Sequence, residues 1–179
     1  MTRLAYAGVG SRATPLEVCN IFTRVASRLE LLGWRLMSGG APGADIAFEL
    51  GVVSAGSKMI FVPWARGSKH ESEIRPADAL WAQAEDAAAK VHPVWSKLPP
   101  AARALHTRNV FQVLGPDLKS SAKFVICWTA DGAETEATTS SSTGGTRTAI
   151  VLASRFDIPV LNFRNEGAMR RLKAHVEAA

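Results

Sequence analysis

Short apolar segments that alternate with helical patterns constrain the fold of this chain most. The first apolar run, residues 4–9, breaks at glycine as a buried strand entering a loop does. A single stripe of apolar residues at helical spacing follows Pro15 and ends at Gly33. A second strand, 35–38, enters a glycine-rich loop and a helix that extends to about Leu50. This alternation is typical of an α/β protein with a parallel sheet.

The alternation resumes beyond a proline-rich stretch. Further strands are predicted over residues 58–64, 123–128 and 159–163, and further helices over 146–156 and 168–178. Residues 65–116 hold two more predicted helices, 76–90 and 99–114, which we interpret as a helical insertion packed on the sheet. We expect one domain over 1–179, with an open, mainly parallel sheet of about five or more strands flanked by helices.

Composition places the chain among globular proteins, since 47% of its residues are hydrophobic and 21% are charged. Its longest apolar runs, 124–128 and 149–153, are far shorter than the roughly 20 residues of a membrane span. No basic and then apolar leader follows Met1, and Cys19 and Cys127 are expected to be buried thiols in a reducing compartment. We therefore expect a cytoplasmic protein without a membrane partner.

Neither a metal site nor a bound cofactor is predicted. His92 and His106 have no partners at the spacing of metal ligands, so we interpret both as structural or incidental. The net charge of +5 favours an anionic partner without identifying it.

Three loops rich in glycine and small hydroxyl residues follow predicted strands, at residues 8–14, 38–45 and 142–148. In an open parallel sheet such loops meet beyond the carboxyl ends of the strands, where ligands bind. Glycine allows backbone N–H groups to approach an anion, and Arg12 and Arg147 add guanidinium groups that suit phosphate. We interpret the three loops as an anion site. The alternative for each loop taken alone is a tight turn.

Ordinary dinucleotide binding is not favoured. Gly8, Gly10 and Ala13 have the spacing of the dinucleotide fingerprint, but Ser38 and two glycines stand where an acidic residue should hold the ribose. The Walker sequence is also missing from the chain.

Four segments together resemble the motifs of the DNA-processing protein A family. They are residues 8–12, the Ser-Gly-Gly-Ala-Pro-Gly-Ala-Asp string of 38–45, the pair Arg108 and Asn109, and Gly-Gly-Thr-Arg-Thr-Ala of 144–149. This family lies in the SLOG superfamily, which also contains the LONELY GUY phosphoribohydrolases. The resemblance covers nearly the whole chain. It implies a Rossmann-like domain that binds nucleotides or single-stranded DNA through these loops, usually as a homodimer or higher homo-oligomer.

The loops and the resemblance together define the expected ligand- and phosphate-binding residues. They are Gly10, Ser11, Arg12, Ser38, Gly39, Gly40, Gly43, Asp45, Arg108, Asn109, Thr143, Gly144, Gly145, Thr146, Arg147 and Thr148. Asp45 also has a structural alternative, which is to stabilise the first turn of its helix. A polar pair within a helix usually faces solvent, so only the resemblance assigns Arg108 and Asn109 to the site. Trp64 and Trp128 end strands near the site and are candidates to stack on a base.

Catalysis is left open, with the sequence arguing against it. The LONELY GUY motif carries a glutamate for N-glycosidic cleavage, and Val151 stands at that position here. Asp131, Glu134 and Glu136 are candidate substitutes, although nothing in the sequence places them. Val110 stands where the DNA-processing family has a basic residue. We expect a module that binds a nucleotide or single-stranded DNA in DNA processing or recombination. The alternatives are a nucleoside-monophosphate N-glycosidase and a sensor of a nucleotide-derived signal.

Overall fold

A six-stranded parallel sheet forms the centre of the structure. The computed structural model describes residues 3–64 and 72–179, and every strand pairing within them is parallel. The order across the sheet is β4-β3-β2-β1-β5-β6. The strands are β1 (Ala5–Gly8), β2 (Arg35–Ser38), β3 (Lys58–Phe61), β4 (Glu73–Ile74), β5 (Val125–Cys127) and β6 (Val160–Asn162). This is the predicted Rossmann-like α/β fold.

Six α-helices cover the two faces of the sheet. They are α1 (Leu16–Leu31), α2 (Ala44–Gly51), α3 (Asp78–Val91), α4 (Pro100–Leu114), α5 (Arg147–Arg155) and α6 (Ala168–Glu177). The first helix ends where the sequence predicts, because Gly33 adopts a left-handed φ of 84° and its N–H donates to the Glu30 carbonyl oxygen.

Alternating strand residues fill two separate cores. Tyr6 and Leu36 pack with α1, α2 and α6 on one face of the sheet, whereas Ala7 and Met37 pack with α3, α4 and α5 on the other. The period of two along each strand therefore builds a three-layer α/β/α arrangement. Cys127 is buried and Cys19 is half-buried, and both are free thiols.

The predicted helical insertion differs from expectation in two respects. It contains the short edge strand β4, which pairs with β3, and its helices α3 and α4 belong to one of the two helical layers. Residues 65–71, where the predicted insertion begins, lie outside the described residues. Strand β3 ends at Phe61, three residues before its predicted end.

The strand order places a topological switch at β1. From β1 the chain adds β2, β3 and β4 on one side, and β5 and β6 lie on the other. The loops after β1 and β5 therefore diverge and leave a crevice at the carboxyl edge of the sheet.

Candidate functional site

A cavity of about 350 Å³ opens at this crevice. It brings together the loop after β1, the loop before α2, helix α4 and the start of α5. Eight of the predicted site residues line it: Gly10, Ser11, Arg12, Asp45, Arg108, Asn109, Gly145 and Thr146. The cavity lies at the low end of the volume range for small-molecule pockets.

A buried ion pair forms the floor of this cavity. The Arg108 guanidinium donates to Asp45 Oδ2 at 3.3 Å, and the side chains are only 6% and 5% exposed. The amide of Gln112, one turn further along α4, donates to the same oxygen at 3.4 Å. Asp45 lies in the first turn of α2, and its hydrogen bonds with Arg108 and Gln112 connect α2 to α4.

Burial raises the pKa of the Asp45 carboxyl above its ordinary value. The Arg108 charge, the N–H groups of Ala41 and Gly10 and the Gln112 amide oppose that rise in pKa. The amides of both neighbouring loops therefore point at Asp45, and this carboxylate orders the loops around the cavity.

Two glycines allow this arrangement by the absence of a side chain. A Cβ on Gly39 would lie 1.3 Å from Arg108 Nη1, so the guanidinium occupies the space above that backbone. Gly43 has a φ of 88°, and a Cβ there would lie 2.7 Å from the Ser11 carbonyl oxygen. These glycines serve close packing inside the protein, which differs from the predicted role of admitting an anion.

The loop before α5 contains a glycine, Gly145, that is not closely packed against the rest of the protein. Asn109 Nδ2 donates to the Gly145 carbonyl oxygen at 3.0 Å, which ties this loop to α4. A Cβ on Gly145 would have no heavy atom within 4 Å, and Gly145 does not have a left-handed φ. Neither backbone conformation nor internal packing requires glycine at this position, so the open space there is available to a ligand.

Arg12 is the exposed cation of the cavity. It follows β1, and its guanidinium makes no hydrogen bond or ion pair with any residue in the described part of the chain. Arg12 and Arg108 also line a second cavity of about 660 Å³ that adjoins the first and contains Gly39 and Gly40. Gly40 has a φ of 63°, so its backbone conformation itself favours glycine.

The remaining predicted residues do not line the first cavity. Ser38 Oγ donates to the Gly8 carbonyl oxygen at 2.7 Å and is fully buried. The Thr143 hydroxyl donates to Asp131, and the Thr148 hydroxyl lies 2.8 Å from His106 Nδ1. Arg147 lies close enough to His92 and Glu136 to influence their pKa values. Arg147 is not among the described residues that line the first cavity, and its contact with a ligand stays a prediction.

The three candidate substitute carboxylates take part in structural contacts. Asp131 holds Ser140 and Thr143 in the loop after β5, and these hydrogen bonds outweigh burial and keep its pKa well below the ordinary value. Glu134 pairs with Arg171, and Glu136 pairs with Arg155. None of the three is among the described residues that line the cavity, where Asp45 is the single carboxylate.

The two valines at motif positions are also buried away from the cavity. Val151 and Val110 are both fully buried in the core between the sheet and helices α3, α4 and α5. The expected tryptophans differ in exposure, since Trp64 is 38% exposed while Trp128 packs partly buried against the other core.

Sequence reasoning missed four cavity residues on α4, namely Ala102, Leu105, His106 and Gln112. They lie three, four or seven positions from Asn109, so one face of the helix carries them all. That spacing is readable in the sequence once Asn109 is placed at a site.

His106 is the titratable group among these missed residues. Burial, followed by the nearby His92 and the Arg108 charge, lowers its pKa to about 4. The His92 and His106 rings lie 4.4 Å apart between their centroids. His106 is therefore neutral near pH 7.

Within residues 3–64 and 72–179, no group of three or more His, Cys, Asp and Glu side chains is arranged to hold a metal ion. In the same residues, no helix combines the length and the apolar character that a membrane crossing requires.

Comparison with known proteins identifies a similar fold. The sequence matches no protein-family model and no curated protein. A solved structure of DNA processing protein A from Helicobacter pylori, described for its single-stranded DNA binding mode, aligns with 97% of this chain and 74% of that chain. The TM-score is 0.57 and the sequence identity is 16%. The likeness defines the class of fold, a Rossmann-like α/β domain similar to that protein.

Proposed function

We propose that this protein binds single-stranded DNA by its phosphate backbone at the cavity between β1 and β5. One observation carries the proposal: the same cavity is lined by the exposed Arg12 and by Gly145, where an added Cβ would have no heavy atom within 4 Å. A guanidinium without an internal partner suits a phosphate oxygen, and a glycine without a side-chain neighbour admits the sugar-phosphate backbone.

Two further features support a strand over a free nucleotide. The first cavity continues into a second one past Arg12 and Arg108, which gives a ligand a path along the edge of the sheet. The structurally similar protein from Helicobacter pylori is described as binding single-stranded DNA. The net charge of +5 adds long-range attraction for a polyanion.

Length and salt dependence test this proposal. Fluorescence anisotropy should show tighter binding of thymidine oligonucleotides as they lengthen from about 5 to about 20 nucleotides, because longer strands cover more of the edge. Affinity should fall steeply between about 50 and 200 mM salt as counterions are released. Equal affinity for thymidine monophosphate and every oligonucleotide would instead identify a free-nucleotide site.

Arg12→Ala locates the contact. We expect roughly 10-fold weaker binding and a salt slope reduced by about one, with an unchanged melting temperature. Arg24→Ala is the matched control, since Arg24 is exposed on α1 and lines neither cavity. This substitution therefore removes the same charge outside the proposed site. Equal losses in both variants would reduce the effect to net charge and contradict the proposed site.

A further inference from the structure

The second cavity differs in chemistry from the first. It is lined by the loop after β2, by α2 and by residues of β3 and β4, and it shares Arg12, Ala41, Leu105 and Arg108 with the first cavity. A strand whose phosphate sits at Arg12 therefore has its next sugar and base within reach of this space. The inference that follows rests on the proposed binding of single-stranded DNA.

Apolar side chains form part of the walls of the second cavity. Pro42, Ile46, Ile60, Val62 and Pro63 contribute them. These side chains suit the flat face of a base, and Arg12, Arg108 and Lys58 line other parts of the space. The ammonium of Lys58, which also lines this space, donates to the Val52 carbonyl oxygen at 2.9 Å.

Two carboxylates, Glu49 from α2 and Glu73 from β4, also line this cavity. Their negative charge disfavours a phosphate there. Glu73 Oε2 is shielded from solvent, and no donor in residues 3–64 or 72–179 forms a hydrogen bond with it. A buried carboxylate oxygen without a donor destabilises a protein, and a ligand donor would remove that penalty.

We propose that the second cavity binds a nucleobase and that Glu73 accepts a hydrogen bond from its exocyclic amino group. Adenine, cytosine and guanine carry such an amino group. Thymine has none, and its N3–H lies between two carbonyl oxygens that a carboxylate repels. The site therefore selects amino-bearing bases over thymine in single-stranded DNA.

Homopolymers of equal length test the selection. We expect deoxycytidine and deoxyadenosine 20-mers to bind at least about five-fold more tightly than the thymidine 20-mer, as a base-edge hydrogen bond provides. Equal affinities would overturn the base site while leaving strand binding in place. A failure of every oligonucleotide to bind would instead refute the proposed function.

The variant Glu73→Met tests whether Glu73 is responsible for the preference for amino-bearing bases. The change should weaken deoxycytidine binding and leave thymidine binding equal or stronger, so that the ratio of affinities falls toward one. Removal of a carboxylate without a donor should not lower the melting temperature. Glu73→Gln, which preserves size, provides the same ratio test if the methionine variant does not fold.

Asp86→Asn is the charge control, because Asp86 is exposed on α3. It should raise affinity for both homopolymers equally and leave their ratio unchanged. A wild-type ratio in Glu73→Met and Glu73→Gln would refute the role of Glu73.

Discussion

The most exacting prediction concerns Gly39, which lies beneath the Arg108 guanidinium. In Gly39→Ala the new Cβ would stand 1.3 Å from Nη1 and 2.2 Å from Cζ of Arg108, so the guanidinium must move. The backbone of Gly39 is not in the left-handed region, and strain in the chain itself therefore adds little. The arginine stem is flexible, so the cost arises from the interaction that the movement breaks.

That interaction is the buried pair with Asp45. Separation of a buried pair generally costs about 3–5 kcal/mol. The raised pKa of Asp45 favours the lower end, because the stranded carboxylate can take up a proton. We expect a loss of about 3 kcal/mol in the free energy of unfolding, or roughly 10 °C in melting temperature for a chain of this length.

A double-mutant cycle isolates the cause. In an Arg108→Ala background the guanidinium is absent, so Gly39→Ala should cost less than about 1 kcal/mol and show a large coupling energy. Urea unfolding of the wild type, both single variants and the double variant measures it. An equal cost of Gly39→Ala in both backgrounds would refute the assignment of the clash to Arg108.

Three further perturbations separate scaffold from site. Gly145→Ala should retain stability, because nothing packs against the new Cβ, yet weaken oligonucleotide binding several-fold in anisotropy measurements. Gly40→Val and the distant Gly33→Val should both lose about 1–2 kcal/mol in urea unfolding, since φ is 63° and 84° at the two positions; an unchanged Gly40→Val would contradict that conformational reason. The His106 pKa, lowered to about 4 from 6.5, means that the unfolded chain binds more protons between these values, so stability should fall as pH drops through this window. Allowing for the partial exposure of His106, we expect the free energy of unfolding to fall by about 2 kcal/mol between pH 7 and 4.5. Urea unfolding of His106→Gln at the two pH values should not show this loss.

Local patterns were sufficient to predict most of the fold. Five strands were predictable because each is an apolar run that ends near a glycine or a turn, and the helices follow from periodic apolar positions. Strand β4 was not predicted, because it has only two half-buried residues, Glu73 and Ile74. They form neither an apolar run nor an alternation of apolar and polar residues. Its existence depends on pairing with β3, which is a tertiary property.

The sequence was sufficient to predict which loops form the candidate site. It was not sufficient to predict which residues of those loops line the cavity. Gly145 and Thr146 line the cavity while Arg147 does not. Successive residues at the start of a helix point in different directions, so neighbours in the sequence need not share a surface. For Arg108 and Asn109 the sequence was misleading about exposure. Polar residues inside a helix predict exposure, but here both are buried, since Arg108 pairs with Asp45 and Asn109 donates to the Gly145 carbonyl oxygen.

The buried pair and the exposed arginine have separable roles in the cavity. Asp45 holds Arg108, Gln112 and the amides of two loops, so this carboxylate fixes the shape of the space without being free to bind a second cation. Arg12 lies outside that network and has no internal partner in the described residues. An approaching phosphate can therefore pair with Arg12 without breaking a contact that stabilises the fold. The glycines follow the same division: Gly39 and Gly43 are required by neighbours inside the protein, whereas Gly145 is required by none. The proposed strand binding would use this arrangement, because the ligand then meets an arginine and a backbone segment that are already in place.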